Sequence, residues 1–217
     1  MIQSGALAIP PTPWPLSRRA TKRAFDVALS LLTLPVLALP LLAIGIAVWT
    51  TSTGPALFRQ ERLGRGGRRF RVWKFRTMAD RSEQQGSAVT AAGDPRITPL
   101  GRLLRASKLD ELPQLWNVLR GDMSFVGPRP EVPRYLPHYR PEDQIVLAIR
   151  PGITDPASIA YRNEEQVLAA YSDRERGYVE ELLPRKLELA RWYIDQQSLS
   201  YDLRLLFRTA IAIVWVR

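Results

Sequence analysis

The chain has 217 residues, enough for one domain of ordinary size plus an anchoring segment. Lys and Arg number 31 against 21 Asp and Glu, a formal net charge of +10 that favours anionic partners: nucleic acid, anionic lipid or phosphorylated substrates. The absence of Cys excludes disulfides, thiolate metal sites and a Cys nucleophile, and His138, the sole histidine, is poor material for a Ser-His-Asp triad or a zinc site.

Residues 1–17 carry Pro10, Pro11, Pro13 and Pro15 with few charges and read as an irregular, loosely ordered lead-in. Arg18, Arg19, Lys22 and Arg23 follow, and from Val27 to Trp49 come 23 residues without a charge. At about 1.5 Å per residue a helix of that length covers roughly 35 Å, enough for a hydrocarbon core of about 30 Å. It exceeds a signal-peptide core, and no small-residue cleavage site follows. Pro35 and Pro40 each remove a backbone donor near its middle, so a break is expected there, with Ser30 or Thr33 hydroxyls available to the freed carbonyls. Both flanks are basic, with Arg59, Arg62, Arg65, Arg68, Arg69 and Arg71 on the far side, which places both on the cytoplasmic face. A re-entrant helix over 18–53, entering one leaflet and turning back, satisfies both features, and 54–217 is then a cytoplasmic domain.

Gly54-Pro55 marks a turn, and residues 60–69 read as a flexible basic loop. Phe70–Arg76 alternates apolar and basic residues as a half-buried strand with one cationic face would. Residues 79–96 are polar and glycine-containing, a surface loop, and helical spacing resumes over Ile97–Arg105. Asp110 and Glu111 then stand ahead of Pro113, with Leu112, Leu115, Trp116 and Leu119 forming an apolar face. Pro113 suits a first helical turn, so the two carboxylates sit at or beside a helix N-terminus, where carboxylates and phosphates are both favoured. This is also how an ordinary helix begins. Adjacent carboxylates can divide labour between attack and cation binding. Arg129 lies between two prolines that restrict its backbone, and Arg150-Pro151-Gly152 repeats the device about twenty residues later. Leu203–Trp215 has the composition of an interfacial amphipathic helix or of a core-packing one, with Leu205, Leu206, Phe207, Ile211, Val214 and Trp215 beside Arg204, Arg208 and Arg217.

The ordered series Lys74-Phe75-Arg76-Thr77-Met78, Leu109-Asp110-Glu111-Leu112-Pro113-Gln114-Leu115, Gly121-Asp122-Met123-Ser124, Val126-Gly127-Pro128-Arg129-Pro130 and Arg150-Pro151-Gly152-Ile153-Thr154 resembles the bacterial sugar transferase family of monotopic phosphoglycosyl transferases. Phe25-Asp26, Ser198 and Asp202 match it too, and the resemblance covers roughly residues 19–210. It implies an α-rich α/β-type membrane-associated domain: a re-entrant broken helix and a compact cytoplasmic catalytic domain with amphipathic interface helices and a few short strands. It implies a nucleotide diphosphate sugar, usually a UDP-sugar, as donor and a polyprenyl phosphate such as undecaprenyl phosphate as acceptor, with Asp110 as nucleophile and Glu111 binding Mg2+. Lys74, Arg76, Arg105, Arg129 and Arg150 are the expected substrate-binding cations, and the bacterial inner membrane is the expected location. Three departures stand out. Leu39-Pro40 replaces the Ser-Pro that many members carry at the helix break, Asp155–Glu165 is a variant region, and Ala190 lies where a number of members have Asp. The alternatives are a membrane-tethered nucleic-acid binder and a noncatalytic polysaccharide-assembly scaffold, but the stacking aromatics and recognition helix of a nucleic-acid module are not evident, so nucleic acid is not an expected partner. A homodimer is compatible with a sequence that carries no readable trace of oligomeric state.

Overall fold

A run of Leu, Ala and Ile without charges favours one helix, and in the computed structural model, which describes residues 9–79, 90 and 93–214, that helix is α1, Leu16–Thr51. It continues through Pro35 and Pro40, so the expected interruption of helical structure is not seen. The prolines withdraw one hydrogen bond each, from the carbonyls of Leu31 and Val36, and the turns on either side carry the helix on. Ser30 and Thr33 do not serve those carbonyls: Ser30 Oγ donates to Asp26 O (2.8 Å) and Thr33 Oγ1 to Leu29 O (2.8 Å). Of the segment ahead of α1, residues 9–15 are described; they lie outside regular structure and are tied down, because the buried Trp14 indole donates from Nε1 to Ile194 O at 3.0 Å.

Both halves of α1 pack on the same body. In the first half Lys22, Asp26 and Ser30 are buried and Leu29 lies against the main core, as do Leu34 and Leu37 just past the middle. In the second half Val48 is buried with Phe75 and Leu104, with Leu41 and Ile44 beside them. The opposite side of the helix exposes Leu31, Leu32, Val36, Leu39, Leu42, Ile46 and Trp49, a continuous apolar surface.

Strands β1 (Leu57–Leu63) and β2 (Arg69–Phe75) form an antiparallel hairpin with Leu57 opposite Phe75 and Leu63 opposite Arg69. The basic stretch expected to be a flexible loop is this hairpin and its turn, in which Gly66 and Gly67 take φ of 74° and 67°, open at low cost only to glycine. The single cationic face expected of β2 is not formed. Strand alternation puts Lys74 on the face of Val72, which enters the main core, and Arg71 on the face of Phe75, which enters the smaller cluster. Both faces of β2 are therefore partly buried, and its cations point in opposite directions.

Helix α2 (Pro99–Ala106) is capped by Thr98, whose Oγ1 accepts from Gly101 N at 2.9 Å. It lies so close to the segment after β2 that a Cβ on Gly101 would stand 2.0 Å from Thr77 O. A 3-10 turn (Leu109–Glu111) and α3 (Gln114–Arg120) follow. Strands β3 (Ser124–Val126) and β4 (Gly152–Thr154) pair in parallel, with Gly127 and Gly152 in direct backbone contact: a Cβ on Gly152 would lie 2.1 Å from Gly127 N. Short helices α4 (Pro156–Ala160), α5 (Glu164–Ala169) and α6 (Arg174–Gly177) lead to α7 (Leu183–Gln196) and α8 (Leu199–Val214), which close the main core around Tyr193. The result is helix-rich with a few short strands, as expected.

A buried polar knot fixes α1 to the last two helices. Lys22 Nζ pairs with Asp202 Oδ2 at 2.7 Å, and Asp202 also accepts from Tyr193 OH (2.8 Å) and Gln197 Nε2 (3.1 Å). Asp26 accepts from Ser124 Oγ and Phe125 N. Most of the polar loop expected at 79–96, together with Trp215 and Arg217, lies outside the described residues.

Candidate active site

The carboxylate pair owes its position to one strained residue. Lys108 takes φ 56°, ψ 15°, the left-handed region, and is the only non-glycine with positive φ among the described residues. Such a backbone costs on the order of 1 kcal/mol and turns the chain sharply after α2. The following 3-10 turn carries Asp110 and Glu111 inward, each 7% exposed. Pro113, φ −61°, then opens α3, so the pair stands just before a helix start, as expected.

The two carboxylates differ in their surroundings. Glu111 Oε1 accepts from Lys74 Nζ at 2.8 Å and from Arg129 Nη2 at 2.6 Å, and Oε2 has a 3.4 Å contact with Arg129 Nη1. Burial alone would raise the Glu111 pKa, but the Arg129 and Lys74 charges and their hydrogen bonds hold it well below the ordinary carboxylate value. Glu111 is a fixed anion. Asp110 has one buried oxygen, Oδ1, with no hydrogen-bond partner. Burial pushes its pKa up, opposed by the charge of Lys74 and, more weakly, of Lys108 and Arg105, while Glu111 adds to the rise. A buried carboxylate oxygen without a partner is uncommon and costs stability; it is also an oxygen free to meet an electrophile or a cation.

Arg129 is held at both ends. Its backbone N–H donates to Asp155 Oδ2 (3.2 Å), and Asp155 Oδ1 in turn caps α4 by accepting from Ser158 N (2.7 Å) and Oγ (2.6 Å). Behind it lies a buried network in which Lys186 Nζ meets Glu131 Oε1 (3.3 Å) and Glu164 Oε2 (3.2 Å), and Arg62 Nη1 donates to Pro130 O (2.9 Å).

Comparison with known sequences adds to this geometry: the profile described as "Bacterial sugar transferase" matches residues 17–216. The chain belongs to the bacterial sugar transferase family. It is 40% identical over 203 residues to the UDP-glucose:undecaprenyl-phosphate glucose-1-phosphate transferase of Caulobacter vibrioides, covering 90% of this chain and 71% of that protein. It is 35% identical over 212 residues to the Escherichia coli protein of the same name, covering 95% of this chain and 43% of that one. It is 35% identical over 191 residues to the UDP-N-acetylgalactosamine-undecaprenyl-phosphate N-acetylgalactosaminephosphotransferase of Aeromonas hydrophila, covering 87% of this chain and 42% of that one. The chain therefore spans less than half the length of the latter two relatives.

Of the cations expected beside the carboxylate pair, the fold brings Lys74 and Arg129 onto Glu111. Arg105 stands near enough for its charge to act on Asp110, while its guanidinium is engaged by Glu165 Oε1, with Nε at 3.0 Å. Arg76 and Arg150 are not with the pair. The Arg76 guanidinium donates to Ser52 O and Ser52 Oγ, both at 2.8 Å, and to Pro55 O, closing the carbonyl end of α1. Arg150 Nε donates to Gly121 O (2.8 Å) at the opposite end of α3. The sequence marks Asp155, Glu164 and Glu165 only as parts of a variant region and Arg62 only as part of a basic flank, and it singles out neither Glu131 nor Lys186. Glu131 directly follows Pro128-Arg129-Pro130 and could have been flagged; Lys186 sits in an unremarkable amphipathic helix and carried no signal.

Among the described residues no three His, Cys, Asp or Glu side chains converge. Mg2+ needs only one or two carboxylates when water and substrate phosphates complete its shell, and the bare Asp110 Oδ1 with the lightly held Glu111 Oε2 fits that donor set.

Proposed function

We propose that this chain is a phosphoglycosyl transferase that moves a phosphosugar from a UDP-sugar to a polyprenyl phosphate, undecaprenyl phosphate, through a covalent intermediate on Asp110. The observation that carries this reading is the contrast within the pair: a buried Asp110 oxygen with no partner beside a Glu111 fixed by two cations. In the first step an Asp110 carboxylate oxygen attacks the sugar-bearing phosphorus, and the bond from that phosphorus to the bridging oxygen breaks. UMP leaves with the bridging oxygen and its electron pair. In the second step a lipid-phosphate oxygen attacks the same phosphorus, the bond to Asp110 breaks, and the carboxylate is regenerated with polyprenyl diphosphate sugar as product. No proton changes hands, which suits a site without histidine.

Lys74, Arg129 and Arg105 supply positive charge where negative charge builds on the transferring phosphoryl group. Glu111 orients Lys74 and Arg129, and Arg105 reaches a phosphate by exchanging its Glu165 partner for it. Glu111 would hold Mg2+, which would offset charge on the diphosphate when bound. The names of the relatives support this donor and acceptor pair.

The membrane reading rests on α1 and α8. α1 is long and apolar enough to cross a membrane by length and composition, and its exposed side from Leu31 to Trp49 is apolar. Its 36 residues would rise about 54 Å if straight, beyond a hydrocarbon core of about 30 Å, yet both halves rest on one body. That supports a helix lodged in one leaflet with both ends on the cytoplasmic face of the inner membrane, where the basic flanks also belong. Leu203, Phe207 and Ile211 of α8 offer further apolar surface at the interface, although buried Leu205 also anchors that helix in the core.

A panel of UDP-sugars incubated with Mg2+ and undecaprenyl phosphate tests the proposal by UMP release. One sugar should be turned over, and Asp110→Asn should release none; full activity in that variant would overturn the assignment of the nucleophile.

A further inference from the structure

The far end of α3 carries a second concentration of positive charge that the transfer reaction does not use. Arg23 Nη1 and Nη2 donate to Val118 O (2.6 Å) and Leu119 O (2.8 Å), and Arg150 Nε donates to Gly121 O (2.8 Å), so both guanidinium groups converge on the last turn of α3. A methyl group on Gly121 would lie 3.4 Å from Arg23 Nη2 and 3.9 Å from Arg150 Nη2. Arg19, one turn before Arg23 on α1, and Arg65, in the β1–β2 turn, face the same place: burial lowers the Arg150 pKa, and the charges of Arg65, Arg23 and Arg19 lower it further. Glu111 stands before the other end of α3, whose seven residues rise about 10 Å.

Three of these arginines, Arg19, Arg65 and Arg150, line an open cleft together with Lys22, Thr12 and Trp14, and Arg23 stands beside Arg150 at Gly121. Charge around it is unbalanced. The Lys22 charge is met by Asp202, and the one carboxylate on the cleft, Asp26, already accepts from Ser124 and Phe125. Among the described residues none of Arg19, Arg23, Arg65 and Arg150 makes an ion pair with an acid. The carbonyls of α3 hold Arg23 and one of the five N–H groups of Arg150, while the half-buried Arg19 and the exposed Arg65 make no side-chain hydrogen bond within the described residues. Like charges gathered around a concavity repel one another unless an anion sits among them, and guanidinium forks match phosphate oxygens in geometry.

We propose that this cleft is a phosphate-binding site, separate from the carboxylate pair, that takes a phosphate monoester or diphosphate anion. The cleft opens beside Arg19 and Lys22, shortly before the uncharged run that begins at Val27, which is headgroup depth if the proposed membrane reading holds; the binding of phosphate there does not depend on that reading. One chemistry therefore has two sources, the headgroup of an anionic lipid or a soluble phosphate, and the test separates them.

The double variant Arg19→Gln/Arg65→Gln removes the two arginines that hold no carbonyl and leaves the α3 contacts in place. The full chain in a neutral detergent is titrated with dioctanoyl phosphatidic acid, dioctanoyl phosphatidylcholine and inorganic diphosphate, with native mass spectrometry counting bound ligands. The wild type should bind one more phosphatidic acid or one more diphosphate than the double variant, or bind it about tenfold or more tightly, while phosphatidylcholine binds both proteins alike. A difference in phosphatidic acid alone identifies a lipid site; a difference in diphosphate as well identifies a site open to soluble phosphate. Indistinguishable titrations of wild type and double variant with both anions, at unchanged thermal stability, would overturn the proposal. Asp110→Asn should keep this binding, so failure of the transferase reading and failure of this one are read on different variants.

Discussion

Adjacent carboxylates that look equivalent in the chain should respond to neutralisation with opposite signs. In Glu111→Gln, Lys74 and Arg129 lose the anion they share, with side chains only 20% and 29% exposed against 9% for Glu111. Removing one partner of a buried pair costs about 3–5 kcal/mol; the glutamine carbonyl can still accept one hydrogen bond and Arg129 retains some water, which leaves about 2–3 kcal/mol. For a chain of this size that is a fall in Tm of roughly 5–10 °C. Asp110→Asn removes a charge that burial disfavours and whose Oδ1 has no partner, so its stability should be unchanged or higher. The pH dependence separates the two further. The Glu111 pKa is depressed, so its contribution is present above the ordinary value of 4.5 and is lost as pH falls through the depressed one. The Asp110 pKa is raised, so wild type and Asp110→Asn should be equally stable in acid, with the variant gaining as pH rises through the raised value above 3.8. Thermal unfolding in a nonionic detergent, followed by circular dichroism from acid to neutral pH, reads both. Equal destabilisation by the two substitutions, or a Glu111→Gln protein as stable as wild type at neutral pH, would refute the electrostatic picture of the site.

Further outcomes follow from single contacts. UMP release should fall on the acid side with an apparent pKa above 3.8, tracking Asp110, and a profile flat down to pH 4 would contradict an ionised Asp110 as nucleophile. Asp155→Ala strips the α4 cap and the Arg129 N–H contact together, so it should cost about 1–2 kcal/mol and lower kcat, with Asp155→Asn restoring most of the stability. Asp202→Ala leaves Lys22 buried without its anion and should cost about 3–5 kcal/mol; limited proteolysis should then cut between α7 and α8 or near Trp14, and unchanged protection would show that α1 is held by apolar packing alone. Gly101→Ala places a methyl group on the Thr77 carbonyl and should lower Tm by several degrees, a loss that Lys108→Gly would not produce because its left-handed backbone suits glycine.

Much of the molecule was legible where the relevant physics is local. Hydropathy alone marks Val27–Trp49 as an apolar helical stretch and Pro113 behind two acids marks the start of α3, whereas the glycines of the β1–β2 turn read only as part of a flexible loop. The order of the motifs was enough to point to the sugar transferase family. Local rules also misled where a neighbour intervened: two prolines argued for an interruption of α1, yet the turns around them remain helical. The apparent basic face of β2 dissolved because both of its faces find apolar partners.

The sequence by itself determined which residues can carry charge, which stretch avoids water and where the backbone must turn, because each of these depends on a residue and its near neighbours. Only the tertiary structure decided what each charge meets. Glu111 finds Arg129 across 18 positions and Lys74 across 37, while Lys22 finds Asp202 across 180. Arg76 and Arg150, drawn from motifs as suggestive as those of Lys74 and Arg129, go instead to the carbonyl ends of α1 and α3. An arginine is satisfied equally well by a phosphate, a carboxylate or a helix end, and only its place in the fold selects among them.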